Sequence, residues 1–275
     1  VRFKKIYLFR EKMRISIKAI LFLLLCFFGI VASAEEKISV PILTYHRLGP
    51  TAVDSMTLPT RVFESQLAWL KENGYTVISL KTLVSYLQGK GPAPAPKSVV
   101  ITVDDGHKSV YSDLLPLVRQ YNIPVTLFIY PSAISNASYA LTWAQLQALQ
   151  KTGLFDVQGH TYWHPNFNRE KKKLTSEEYQ KLVNIQLNKS KAVLEKKLAI
   201  QVDLLAWPFG IYNDELEKAA EKAGYIMAFS IDGRPASQTE HPMSQPRYMI
   251  VREQSIKDFE AIAAGTSTHK APKES

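Results

Sequence analysis

The sequence predicts an α/β protein, a deformed, TIM-like (β/α) barrel of seven or eight units in a single domain. Short apolar, β-branched runs alternate with amphipathic stretches along the chain, a pattern that implies a mainly parallel sheet with right-handed crossovers. Length agrees: of 275 residues, the 241 that follow a candidate leader fall in the size range of one such barrel. An open doubly wound sheet is the alternative, but no Gly-x-Gly-x-x-Gly follows any predicted strand.

In chain order, strands are predicted at Val40–Tyr45, Val77–Ser79, Val99–Val103, Val125–Tyr130, Phe155–Gln158, Leu204–Ala206, Ile226–Ser230 and Tyr248–Val251. Helices are predicted near 60–73, 80–88, 109–121, 142–151, 175–198 and 213–223. Thr142 with Gln145 and Thr175 with Glu178 fit the capping box, in which each side chain satisfies an otherwise orphaned amide. Asn73-Gly74, Thr152-Gly153 and Ala223-Gly224 supply residues that tolerate the left-handed position after a helix. In the longest helix Tyr179, Leu182, Val183, Gln186, Leu187, Ser190, Val193 and Leu194 form a mostly apolar stripe, which reads as core packing. Gly89–Pro96 is a Pro-rich surface loop, and residues 264–275 form a polar, flexible tail.

Composition narrows the class. With 46% hydrophobic and 21% charged residues, neither a disordered chain nor a multi-span membrane protein fits. A single cysteine, Cys26, excludes a disulfide framework and a thiolate zinc cluster. Most of the net charge of +9 sits in residues 1–34, where Arg2, Lys4, Lys5, Arg10, Lys12, Arg14 and Lys18 face a lone Glu11. The apolar run Ile20–Val31 and the small residues Ala32-Ser33-Ala34 complete the pattern of a secretory signal peptide. An uncleaved membrane anchor is the alternative. Residues 35–263 are then the functional domain, exported to the periplasm, cell surface or medium. The charge that remains after residue 34, +3 over residues 35–275, is too small to argue for nucleic acid. The sequence carries no signal for oligomeric state.

Reactive residues gather just past the predicted strand ends, where barrels build their sites. Thr102-Val103-Asp104-Asp105-Gly106 ends a buried strand with two acids and a glycine that permits a sharp turn. Neighbouring strand-end side chains point in different directions, so one acid can hold a cation while the other faces a substrate. Taken alone, Asp-Gly is also a common turn dipeptide. Gly159-His160-Thr161-Tyr162-Trp163-His164 follows another strand, and histidines at i and i+4 share a face if the segment makes one helical turn. Two His and one Asp would hold zinc and leave a coordination position open. Trp207-Pro208-Phe209-Gly210-Ile211-Tyr212 either lines a sugar groove or plugs the barrel mouth. His46, after Tyr45, is a proton donor or a structural histidine.

At these residues the sequence resembles the NodB-type polysaccharide deacetylases, carbohydrate esterase family 4, and most of all the branch that acts on poly-β-1,6-N-acetylglucosamine. Thr102–Gly106 matches the family's Thr-Phe-Asp-Asp-Gly, with Val103 for Phe, and His160–His164 matches its His-(Ser/Thr)-x-x-His. The likeness runs from about Val40 to Val251. It implies that Asp105, His160 and His164 bind a divalent metal, zinc first, with Co, Ni or Fe as alternatives. It also implies that Asp104 is the catalytic base. The family's Arg-x-Pro-Tyr is replaced by Trp207-Pro208-Phe209-Gly210, so Arg247 becomes the candidate to orient the base, with the Phe209 backbone N–H as oxyanion donor. No late Leu-x-His occurs, and Tyr45-His46 matches the segment that supplies the general acid in this branch, which implies His46. Tyr45, Trp163, Trp207, Pro208, Tyr212 and Asp232 are the substrate-binding candidates; Asp232 would orient His46 or the sugar. The implied partner is an N-acetylated polysaccharide, with peptidoglycan, chitin or O-acetylated xylan as other substrates. A non-catalytic glycan-binding module on the same barrel is the reading from a different class.

Overall fold

The computed structural model describes residues 38–267. The predicted leader, residues 1–34, and residues 268–275 of the predicted tail lie outside them. The strands are β1 (Ser39–Val40), β2 (Ile42–Tyr45), β3 (Arg47–Gly49), β4 (Thr57–Pro59), β5 (Thr76–Val77), β6 (Ser98–Asp104), β7 (Val125–Ile129), β8 (Phe155–Gly159), β9 (Leu204–Ala206), β10 (Met227–Phe229), β11 (Ala236–Ser237) and β12 (Tyr248–Met249). An eight-stranded parallel sheet runs in the order β10-β9-β8-β7-β6-β2-β12, with β5 paired to the start of β6. Its strands are the eight that the sequence predicts.

The sheet curls until its edges meet. Phe229 at the end of β10 bridges Gln245, just before β12, and Ser230 N–H donates to the Gln245 carbonyl at 2.8 Å. The result is a deformed barrel. Every residue of β6 and β7 is buried, as a sheet covered on both faces requires. Side-chain alternation divides the core in two. Ile42, Val100, Phe128, Ala206 and Phe229 share an inner cluster, whereas Leu43, Tyr45, Ile101, Val103 and Leu127 pack outward into the larger helix-facing core.

The helices are α1 (Thr60–Glu72), α2 (Leu80–Leu87), α3 (Leu115–Tyr121), α4 (Trp143–Lys151), α5 (Phe167–Lys173), α6 (Ser176–Asn184), α7 (Ser190–Leu198), α8 (Asp214–Lys222) and α9 (Ile256–Ala263). Both expected capping boxes form, at Thr142 and Thr175. The predicted long helix is α6 and α7 joined by a π-helical turn, Ile185–Lys189. The first predicted strand splits at Pro41, which has no N–H to donate; β1 turns aside to pair antiparallel with β11. No helix among the described residues is long and apolar enough to cross a membrane.

Candidate active site

The site lies at the C-terminal ends of β2, β6, β8 and β9. Asp104 closes β6 and points into the barrel, on the same side as Thr102. Arg247, one residue before β12, sends its guanidinium to the carboxylate in a bidentate pair, Nη1–Oδ1 2.9 Å and Nη2–Oδ2 2.8 Å. Its other hydrogen bonds go to Thr102 Oγ1 and the Ser230 carbonyl, and Phe128 lies beneath it at 5.1 Å. Burial works to raise the Asp104 carboxyl, but Arg247, with His160 and His46 behind it, holds it below its ordinary value. Asp104 is therefore ionised at neutral pH.

Asp105 leaves the strand with φ 74°, and Gly106 follows with φ 77°. A Cβ on Gly106 would lie 2.8 Å from Ile129 Cδ1, so this turn requires glycine both for its backbone and for its space. The turn carries the Asp105 carboxylate out of line with Asp104 and toward two imidazoles. Asp105 Oδ1 sits 3.6 Å from His160 Nε2 and 3.7 Å from His164 Nε2, and the three donor atoms all lie within 4.8 Å of one another.

These residues fit a cation. Asp105 Oδ1 is buried without a hydrogen-bond partner, and it faces the two ring nitrogens beyond hydrogen-bonding distance. His160 Nδ1 lies 2.8 Å from the Ala206 carbonyl; donation there leaves the Nε2 lone pair turned toward the site. Two imidazoles and one carboxylate are a donor set that suits a divalent cation and leaves a coordination position for water or substrate. Burial lowers the His164 imidazole to about 4, with His160 adding to the effect, which favours the neutral, ligating form. Burial also acts against a charged His160, but the neighbouring Asp105 and Asp104 outweigh it and raise its value.

The segment between the two histidines makes no helical turn. Thr161 and His164 adopt left-handed backbone, φ 62° and 61°, and the rings meet at 4.7 Å across a bent loop. Thr161 Oγ1 accepts from His164 N–H, and Gln186 Oε1 accepts from both Tyr162 and Trp163 N–H. These bonds take the place of the i→i+4 ladder.

His46 directly follows β2, and its Nδ1 is buried without a hydrogen-bond partner. Burial lowers its imidazole, opposed by the charges of Asp105 and Asp104. Phe209 follows β9 with φ 56°, and its ring lies 4.6 Å from that of His164. Trp163 is exposed at the rim. Tyr212 donates to Asp232 Oδ2, which also accepts from Ser230 Oγ; Asp232 is thus tied both to its own loop and to the loop after β9.

Three substrate-binding expectations are corrected. Tyr45 faces outward from β2: it is 1% exposed, packs edge-on against Phe63 and donates to Gln66 Oε1. Trp207 is equally buried, donates Nε1–H to the Met243 carbonyl and packs against Phe167; Pro208 is buried beside it. All three build the wall behind the site. The sequence reading missed Tyr130, whose ring lies 5.4 Å from that of His164 and whose hydroxyl meets that of Tyr139. Its signal was an aromatic residue at the C-terminal end of a predicted strand. It also missed Gln186, a polar residue in an otherwise greasy stripe.

Comparison with known proteins adds the family. The polysaccharide deacetylase profile matches residues 91–228. The chain belongs to the polysaccharide deacetylase family. The deacetylase is 30% identical to YxkH of Bacillus subtilis over 206 residues, 75% of this chain and 69% of that one. It is 26% identical to the poly-β-1,6-N-acetyl-D-glucosamine N-deacetylase of Staphylococcus epidermidis, across 82% of this chain and 85% of that one. Among solved structures it superposes on the Streptococcus pyogenes deacetylase PplD with a TM-score of 0.73 at 22% identity, covering 84% of this chain and 99% of that one. IcaB from Ammonifex degensii gives 0.71 at 21%, covering 83% and 97%. These two likenesses speak for the fold.

Proposed function

We propose that this deacetylase removes N-acetyl groups from a glucosamine-containing polysaccharide by metal-dependent hydrolysis, with poly-β-1,6-N-acetylglucosamine as substrate. The observation that carries the reading is the convergence of Asp105, His160 and His164 beside an ionised Asp104 paired with Arg247. The choice of glycan is supported by the Staphylococcus epidermidis relative named for that polymer and aligned over 85% of its length.

A divalent cation held by Asp105, His160 and His164 would supply Lewis acidity and lower the pKa of water toward ~7. Zinc suits this donor set, as do Co, Ni and Fe. Asp104, oriented by Arg247, takes the proton of the attacking water. The Phe209 N–H donates to the oxyanion that develops on the acetyl carbon, and one such donor is worth ~10²–10³ in rate. His46 protonates the departing amine, which is otherwise too basic to leave. Burial lowers the His46 imidazole, and the charges of Asp105 and Asp104 oppose that without reversing it. Trp163, and Tyr212 with Asp232, contact the sugars at the rim.

The same reading takes residues 1–34 as an export leader and 35–263 as the catalytic unit, since a matrix polysaccharide is met outside the cytoplasm. The deciding assay measures acetate release from β-1,6- and β-1,4-linked N-acetylglucosamine oligomers, with and without a chelator. Release from the β-1,6 series, abolished by chelation and restored by added zinc, is the expected result. Equal or greater release from β-1,4 oligomers rejects the glycan, and release untouched by chelation rejects the metal.

A further inference from the structure

The turn that separates α6 from α7 reaches into the metal-type loop. Ile185–Lys189 is π-helical, a wide turn that recurs at functional positions in helices. From it Gln186, fully buried, directs Oε1 to the backbone N–H groups of Tyr162 (3.1 Å) and Trp163 (3.0 Å), the residues between His160 and His164. The same turn holds Lys189 Nζ over the Tyr162 ring at 4.1 Å. From the opposite side Ser132 N–H donates to the Tyr162 carbonyl, and Tyr225 OH donates to the carbonyl of Leu187 within the turn.

The orientation of the Gln186 amide is fixed by chemistry. Backbone N–H groups only donate, so the atom that meets them is the carbonyl oxygen. Its Nε2 is consequently the atom left buried with no hydrogen-bond partner. A side chain selected for packing alone would not leave a buried amine unpaired, because Leu or Met fills the same space without that penalty. The two bonds replace the helical ladder that the 160–164 segment lacks, in a loop that contains two left-handed non-glycine residues.

We propose that Gln186 is a positioning residue for the metal site, its carbonyl oxygen fixing the 162–163 backbone so that both imidazoles keep their approach to Asp105. This rests on the metal reading above. It acts through the loop and touches neither cation nor substrate.

The test uses Co(II) titration of the metal-stripped full chain, read by the visible spectrum and by competition with a chelator. Gln186→Met keeps the volume and removes the acceptor; Gln186→Glu keeps an acceptor oxygen at the same reach. The expected result is a 10–100-fold loss of Co(II) affinity and an altered spectrum in the Met variant. The Glu variant recovers most of the affinity. Should the Met variant fail to fold, Gln186→Asn, one methylene short of the loop, is expected to give the same loss. Wild-type affinity and spectrum in the Met or Asn variant overturn the proposal, as does loss without recovery in the Glu variant. A wild-type chain that binds no Co(II) overturns the metal reading itself, and is separately visible.

Discussion

Arg247 and Asp104 form a two-pronged ion pair sealed inside the barrel, with side-chain exposures of 0% and 3%. Removing one member of such a pair leaves the other charged and desolvated, which typically costs about 3–5 kcal/mol. Arg247→Met is expected to lower stability by that order in urea unfolding. With its counter-charge gone, burial pushes the Asp104 carboxyl upward, so the acidic limb of the kcat profile moves to higher pH. Arg247→Lys keeps the charge but not the fork, and is expected to fall between the two.

The proposed mechanism gives the two adjacent acids different roles. Asp105→Ala and His164→Ala are expected to lose bound metal and acetate release together. Asp104→Asn should retain metal while kcat falls by about 10²–10⁴, the usual worth of a general base. Metal content by elemental analysis, set beside acetate release, checks both; full turnover in Asp104→Asn would refute its role.

His46→Ala is expected to lower kcat by about 10²–10⁴ with metal content intact. An unchanged rate on an N-acetylated glycan removes it as the proton donor.

Tyr45 and Trp163 offer a contrast between wall and rim. Tyr45→Phe strips Gln66 of a buried partner and should cost about 1–3 kcal/mol of stability with KM unchanged. Trp163→Ala, at an exposed position, should leave stability nearly unaltered and raise KM for oligomers. Paired unfolding and steady-state measurements separate the two.

Gly106→Ala meets a left-handed backbone and a contact of 2.8 Å with Ile129, and is expected to cost about 1–3 kcal/mol with loss of metal binding. Gly74→Ala has similar backbone, φ +73°, but nothing within 4 Å of its Cβ. It should cost less and leave metal binding intact; thermal unfolding with and without zinc gives both values.

What could be read in advance was what the chain encodes locally. β-branched runs such as Ser98–Val103 announce buried strands, and a Thr with Gln or Glu three residues on announces a helix start. The two-residue pairing of β1 with β11 and the Gln245 bridge depend on residues some two hundred and some fifteen positions apart, so no local pattern carries them. Helix α5, Phe-Asn-Arg-Glu-Lys-Lys-Lys, lacks an apolar stripe and left no periodic trace. The acid pair and the two histidines were visible from residue type and strand-end position and the family resemblance singled out Asp105, whereas the left-handed loop that brings the histidines together was not visible. Tyr45 was misassigned although strand parity held the answer: it shares its face with Leu43, not with Thr44.

The counter-charge of Asp104 arrives just before the last strand of the ring, although the carboxylate stands on a strand nearly 150 residues earlier. A chain halted at residue 228, where the family profile ends, would already carry the acid pair and both histidines yet lack Arg247. On the role proposed for Arg247, such a shortened chain is expected to release no acetate, because its general base stands without the guanidinium that orients it.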